Sequence, residues 1–388
     1  MRAILTNFGT TGDVQPFLAL AIELRNNGHH PTVALSPNFE KLANYLGLEF
    51  VPIGPDLEHT QRSIITELVT VDTSRQKLRY LYAPLVSALP QMFNELRAAC
   101  RGCDVLISGP VQHASHMIHE ITGIPFVSVQ IDYSGGGGRP SFQQATASLI
   151  NPVRARLGLE PLSNPLTMDA NSNQLALYAM SRHVIPQPVQ WPRHYHMTGY
   201  FFFDDQDWQP DRGLKKFIEA GEPPVTITLG STTYASDLTA QILEAIKQAG
   251  CRAIIQHGWG SLAAESKLPD DVYAVGYTPH SWLFPRAACI VHHGGVGTAA
   301  AAFRAGVPSI FITHGRPIRA WFARELGCAG PPIPYWQLSA ERLGAVIKST
   351  LNSPHLYEAA AALGKKIRAE RGVATARLLI EQLLHNLN

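Results

Sequence analysis

Two short glycine-rich stretches hold the side chains best suited to chemistry. The first, Gly9-Thr10-Thr11-Gly12-Asp13-Val14-Gln15-Pro16, sets a lone carboxylate just after a short apolar strand, Ala3 to Asn7. A carboxylate delivered there either accepts a proton from a hydroxyl or caps the helix read as beginning at Pro16. The second, Val291-His292-His293-Gly294-Gly295-Val296-Gly297-Thr298, reads as a strand that runs through a glycine turn into a helix. Glycines let a ligand approach the backbone closely, and the unpaired N–H groups and dipole of a helix start favour an anion. Thr298 adds a hydroxyl, and His293 adds an imidazole donor without the permanent charge of a lysine.

Other polar groupings promise less. Asp205-Gln206-Asp207 has the D-x-D pattern that can hold a divalent cation, but it sits beside Trp208 and Pro210, away from both glycine turns, and reads as a solvated acidic loop. His113, His116 and His119 recur every three residues with no carboxylate or cysteine partner evident. They read as the start of a helix near a ligand pocket, with a direct role open to His113. Cys100 and Cys103 form a C-x-x-C with no second pair at zinc spacing. No metal site is expected.

These groups need elements to hold them. Pro16 to Asn27 shows apolar residues at helical spacing and closes at Gly28. Strands are read at Pro31 to Leu35, Val105 to Ser108 and Phe126 to Val129, with a helix from Gln112 to Gly123 between the last two. Pro186 to Pro210, rich in proline and aromatics, interrupts the alternation. It then restarts with strands at Val225 to Leu229, Ala253 to Gln256, Cys289 to Val291 and Ser309 to Ile312, helices at Asp237 to Ala249 and Thr298 to Ala305, and a helical end from Ala340 to Leu387. Repeated strand–helix units imply parallel sheets covered on both faces, which bind ligands at the carboxyl ends of their strands. The expected fold is α/β, with two doubly wound Rossmann-like domains facing a cleft. Residues 1–190 are read as a first domain, 191–212 as a linker, 213–370 as a second domain, and 371–388 as a helix packing back on the first.

The 388 residues suit two such domains. With 32 basic and 30 acidic residues, the net charge of +2 gives no general field for nucleic acid. Five unevenly spaced cysteines argue against a disulfide framework. The chain enters a strand at once, and no apolar run reaches the ~20 residues of a membrane span. A cytoplasmic protein is expected, with peripheral membrane contact left open and the oligomeric state unset.

Several stretches together resemble the family-one glycosyltransferases of GT-B fold, closest in look to bacterial antibiotic and sterol glycosyltransferases. They are the Gly9 to Pro16 turn, Trp191-Pro192 with Thr198-Gly199-Tyr200, Gly230-Ser231, Val275-Gly276-Tyr277-Thr278-Pro279-His280, the His293 turn and Gly372-Val373-Ala374-Thr375-Ala376. The resemblance covers nearly the whole chain. It implies an inverting, metal-independent enzyme that moves a sugar from a UDP- or dTDP-linked donor to a small lipophilic acceptor such as a natural product, sterol or lipid. The nucleotide sugar is then a co-substrate, and no cofactor is implied. The first domain would take the acceptor and the second the nucleotide sugar. By the same resemblance Asp13 is the base, unless it only caps its helix. The diphosphate falls to Thr10, Gly12, Ser231, His293, Gly294, Gly295, Gly297 and Thr298, and the nucleoside to Thr278 and His280. The family's usual acid–amide pair for sugar hydroxyls is replaced here by Gly315 and Arg316, which leaves the sugar open. His113 and Tyr133 are the acceptor-side candidates. A relative that binds without turnover and a nucleotide-sugar epimerase on the same fold are the alternatives. A nicotinamide dehydrogenase ranks last, because Gly9 to Gly12 lacks the G-x-G-x-x-G spacing.

Overall fold

The computed structural model describes residues 1–56, 74–132, 140–164, 171–205, 207–229, 238–256, 268–313 and 318–387. The chain forms two compact units. One comprises Met1–Arg182, Gln187–Phe203 and Arg371–Asn388, and the other His183–Pro186 and Asp204–Glu370.

The first unit is built on seven parallel strands: β1 (Arg2–Thr6), β2 (His30–Leu35), β3 (Glu49–Pro52), β4 (Val105–Ser108), β5 (Phe126–Gln130), β6 (Leu175–Tyr178) and β7 (Tyr195–Met197). Their order is β3-β2-β1-β4-β5-β6-β7. Helices α1 (Thr11–Asn26), α2 (Glu40–Tyr45), α3 (Ser74–Ala99), α4 (His113–Thr122) and α5 (Pro140–Arg156) belong to the same unit. The central strands β1 and β4 are apolar on both faces and almost wholly buried, as a parallel sheet with covered faces requires. Leu5, Phe17, Leu20, Leu24 and Val33 meet in one core. Phe17 is fully buried there, so truncating it to alanine would cost about 3–5 kcal/mol.

Two details depart from the sequence reading. Helix α1 starts at Thr11, not Pro16, and Pro16 lies inside it. Thr10 is the N-cap, and Asp13, three residues on, accepts the Thr10 backbone N–H at 2.7 Å. This Thr-x-x-Asp pairing nucleates the helix five residues early. The loss at Pro16 is one helical hydrogen bond near the start. Second, Tyr195–Met197, inside the stretch read as a linker, is the edge strand of the first sheet. Three residues between Pro192 and Gly199 are too few to show an alternating pattern.

The second unit repeats the plan with six parallel strands: β8 (Val225–Thr228), β9 (Ala253–Gln256), β10 (Val272–Val275), β11 (Ile290–His292), β12 (Ser309–Thr313) and β13 (Ile333–Pro334), in the order β10-β9-β8-β11-β12-β13. Its helices are α6 (Arg212–Glu219), α7 (Leu238–Ala249), α8 (His280–Leu283), α9 (Val296–Ala305), α10 (Ile318–Glu325), α11 (Ala340–Leu351) and α12 (Pro354–Ala369).

The last helix, α13 (Gly372–Leu387), returns to the first unit. Ala376 and Ile380 enter the core around Phe17. Arg377 pairs with Glu23 at 3.1 Å, and Glu381 lies 2.8 Å from His29. Gly372 starts this helix because a Cβ there would stand 2.3 Å from the Tyr200 carbonyl oxygen. That contact ties together two stretches the sequence had singled out separately.

Candidate active site

In both sheets the strand order reverses at the centre, at β1/β4 in the first and β8/β11 in the second. A crevice forms at the carboxyl ends of such strand pairs, where α/β proteins bind ligands. The two glycine turns follow β1 and β11, so each stands at the reversal of its own sheet.

At the first reversal the Asp13 carboxylate is half-buried. Its Oδ2 accepts the Thr10 N–H at 2.7 Å and the Thr10 hydroxyl at 2.9 Å. Burial pushes its pKa above the ordinary aspartate value. The two Thr10 bonds pull it back, and the charge of Asp132 adds to the rise. Gly9, at φ 152°, lies against this group, and a Cβ there would stand 2.4 Å from Asp13 Oδ2. Buried Asn7 donates from Nδ2 to the Asp13 carbonyl at 2.8 Å. Gly109, after β4, leaves room for it, since a Cβ on Gly109 would stand 2.1 Å from Asn7 Oδ1. Gly9, Asn7 and Gly109 thus shape the surroundings of the carboxylate. Their part depends on contacts, so only Gly9 was visible in sequence. Gly12, the second residue of α1, is exposed.

At the second reversal α9 begins at Val296 with Gly295 as N-cap, two residues before the expected start. The His293 ring folds back over this helix start. Its Nε2 stands 2.5 Å from where a Gly295 Cβ would be, so glycine is needed for the imidazole to lie there. A Cβ on Gly297 would meet nothing within 4 Å, and that residue is exposed. The first helical turn carries no acidic residue. Gly294 has φ 85°, a backbone that side chains rarely adopt, and the Phe311 ring lies 3.2 Å from its missing Cβ. Its N–H donates to His292 Nδ1 at 3.3 Å. Burial lowers the His292 pKa to about 3, with His293, His280 and Arg319 adding to the effect, so this ring is neutral at physiological pH. Arg319, which the sequence reading passed over, donates from Nε to the Gly294 carbonyl at 2.7 Å.

After β10 the chain turns inward from Thr278. Thr278 is buried, and its carbonyl accepts from Gln256 Nε2 at 2.8 Å. His280 Nε2 lies 3.1 Å from Gln256 Oε1, and its ring stacks on Phe284 at 4.2 Å. Burial lowers the His280 pKa to about 4, with His293 and Arg304 contributing. Tyr277, just before Thr278, is 61% exposed.

His113 begins α4 and is buried. Its Nε2 has no hydrogen-bond partner among the described residues, and burial lowers its pKa to about 4. Beside it lies a cavity of about 10 Å³, lined in part by Gln112, His113, His116 and Arg154, which is space for one water. His116 faces Glu120, Arg154 grips the same carboxylate with two bonds of 2.8 Å, and His119 donates from Nδ1 to the Ile124 carbonyl at 2.8 Å. Burial would raise the Glu120 carboxyl, but Arg154 and His116 hold it below its ordinary value. No group of three or more His, Cys, Asp or Glu able to hold a metal occurs among the described residues. All five cysteines are free thiols. Among the described residues no helix is long and apolar enough to cross a membrane. The candidates Tyr133, Ser231, Gly315 and Arg316 lie outside the described residues, as does Gln206 of the acidic loop.

Two family models match the chain: the glycosyltransferase family 28 N-terminal domain over residues 3–134, and the C-terminal domain of erythromycin biosynthesis protein CIII-like proteins over residues 240–373. O-mycaminosyltylonolide 6-deoxyallosyltransferase of Streptomyces fradiae is 31% identical, over 98% of this chain and 97% of its own length. A sterol 3-beta-glucosyltransferase of Arabidopsis thaliana is 30% identical over 95% of this chain, which spans 66% of that relative. Among solved structures, glycosyltransferase VinC in complex with dTDP superposes with a TM-score of 0.73 at 22% identity, covering 100% of both chains.

Proposed function

The chain belongs to the GT-B glycosyltransferases, the family of the 6-deoxyallosyltransferase and sterol glucosyltransferase compared above, and from that premise we propose an inverting, metal-independent enzyme with Asp13 as its base. The first unit takes the acceptor and the second takes the nucleotide sugar. The acceptor is a small lipophilic alcohol, of the natural product, sterol or lipid class to which the relatives' names point. The donor is a dTDP- or UDP-linked sugar, and dTDP in the VinC complex supports this choice. The reaction runs in the cytoplasm.

The acceptor hydroxyl gives its proton to Asp13 as its oxygen bonds to the anomeric carbon of the donor. The bond from that carbon to the diphosphate oxygen breaks on the opposite face, so the configuration inverts. A carboxylate partly withdrawn from water, with the rise only partly offset by its Thr10 bonds, is a stronger proton acceptor than an ordinary aspartate, which suits this step. The diphosphate leaves into the N–H groups of Gly295 to Gly297, with His293 and Thr298 beside them, while the Gly294 N–H is given to His292. Oriented dipoles and hydrogen-bond donors stabilise that charge without a metal. Ser231 assists at the phosphates, whereas the Thr10 N–H and hydroxyl are already given to Asp13, whose charge disfavours a phosphate at Gly12. The nucleoside falls to Thr278 and His280, the sugar to Gly315 and Arg316, and the acceptor to His113 and Tyr133.

One observation carries this reading: the His293 imidazole lies over a helix start that has exposed glycine and no acid. Incubation with dTDP- and UDP-sugars and a generic phenol or sterol tests it. A glycoside of inverted configuration is expected from the native enzyme, and far less from Asp13→Asn. Donor epimerisation, or nucleotide binding with no glycoside from any pair, would overturn it.

A further inference from the structure

Gly294 is held at both of its backbone polar atoms, which belong to two successive peptide units. Its N–H reaches His292 Nδ1, and its carbonyl accepts from Arg319 Nε at 2.7 Å. Phe311 stands behind its α-carbon. A trans peptide is planar, so its C=O and N–H point in opposite directions, and no cis peptide occurs among the described residues. Drawing the Gly294 carbonyl toward Arg319 therefore turns the Gly295 N–H away from the guanidinium. That N–H belongs to the N-cap of α9 and opens the row of donors at the helix start. The two bonds differ in how they respond to pH. His292 accepts through Nδ1 only while neutral, which its burial secures down to about pH 3. A guanidinium stays charged at any working pH.

We propose that Arg319 is a positioning residue of the donor site, locking the Gly294–Gly295 peptide so that the Gly295 N–H is aimed at the donor diphosphate. The proposal rests on the diphosphate site described under the function above. It assigns to α10, which follows the sugar-selecting stretch, control over the geometry of a turn 25 residues earlier. A long-range side-chain bond to a backbone carbonyl leaves no motif in sequence, and so the residue was not singled out there.

Titration calorimetry with thymidine and with thymidine diphosphate tests the assignment on the native enzyme, Arg319→Met, Arg319→Lys and His293→Ala. Arg319→Met should weaken diphosphate binding about tenfold, the size of one charge-assisted hydrogen bond. Thymidine affinity should stay unchanged, and Arg319→Lys should recover part of the loss, because an ammonium can still donate to the carbonyl. Equal losses for nucleoside and diphosphate would overturn the assignment. So would native diphosphate affinity in a folded Arg319→Met while His293→Ala binds weakly. If neither variant weakens diphosphate binding, the donor-site reading itself fails. Should Arg319→Met not fold, Arg319→Lys is read by the same criteria, with an unchanged affinity again overturning the assignment.

Discussion

The helix after β1 and the helix after β11 both begin in a glycine turn at the centre of a parallel sheet, yet they treat charge in opposite ways. The first fills its own start with a carboxylate, since Asp13 accepts the Thr10 N–H and occupies the positive end of α1. The second leaves its start to glycine and lays a histidine over it. A helix start already holding a carboxylate repels a second anion, whereas one lined by N–H groups and imidazole attracts it. On the proposed function, the same local architecture serves as a proton acceptor in one unit and an anion receptor in the other, and the third helical residue, Asp13 in one and Thr298 in the other, marks the difference.

The largest effect should come from erasing the carboxylate. Asp13→Asn keeps an oxygen for the Thr10 bonds but cannot take a proton, and its kcat should fall about 10²–10⁴-fold with nucleotide affinity unchanged. If Asp13 only capped its helix, kcat would hold and the loss would appear as a lower Tm in Asp13→Ala. The pH profile bears on the same point. The base works when ionised, and burial raises its pKa, so kcat/KM should fall on acidification at a pH above the ordinary aspartate value.

The second turn should answer with affinity. His293→Ala should weaken nucleoside diphosphate binding by about 1.5–3 kcal/mol, measured by calorimetry. Native affinity in the folded variant would move the diphosphate elsewhere. Two glycine substitutions give a finer contrast. Gly9→Ala pushes a methyl into Asp13, and Gly295→Ala pushes one into His293. The first should lower mainly kcat and the second mainly donor affinity, each about tenfold for strain of a kcal/mol or two. The reverse pattern would undo the division of labour. The smallest expected change is none: excess EDTA should leave turnover intact. Loss restored by magnesium or manganese would mean that the α9 start does not carry the leaving charge alone.

Much of this was legible because periodic burial writes itself into sequence. The buried strands Val105–Ser108 and Ala253–Gln256 were read with their observed bounds, and the His293 turn declared itself by its glycines and by the strand before it. The start of α1 was not, because Pro16 looked like a helix opening while the true cap is a side-chain-to-backbone bond at Thr10. Strands β7 and β13, of three and two residues, are too short to have a period. Within the candidate site the reactive types, Asp13 and His293, could be named from sequence. Their supports could not. Asn7, Gly109 and Arg319 act through contacts between segments distant along the chain, and only the fold brings those segments together.

The return of α13 to the first unit also sets an order of assembly. Chains emerge from the ribosome amino end first, and domains fold as units. Nearly all of the second unit is one continuous run, Asp204–Glu370, so its strands and helices are available before the last helix exists. The first unit, although begun earliest, cannot close the core around Phe17 until Ala376 and Ile380 arrive. The half that starts first therefore finishes last, and a nascent chain halted near Glu370 would carry a completed second unit beside a first one with an open apolar face.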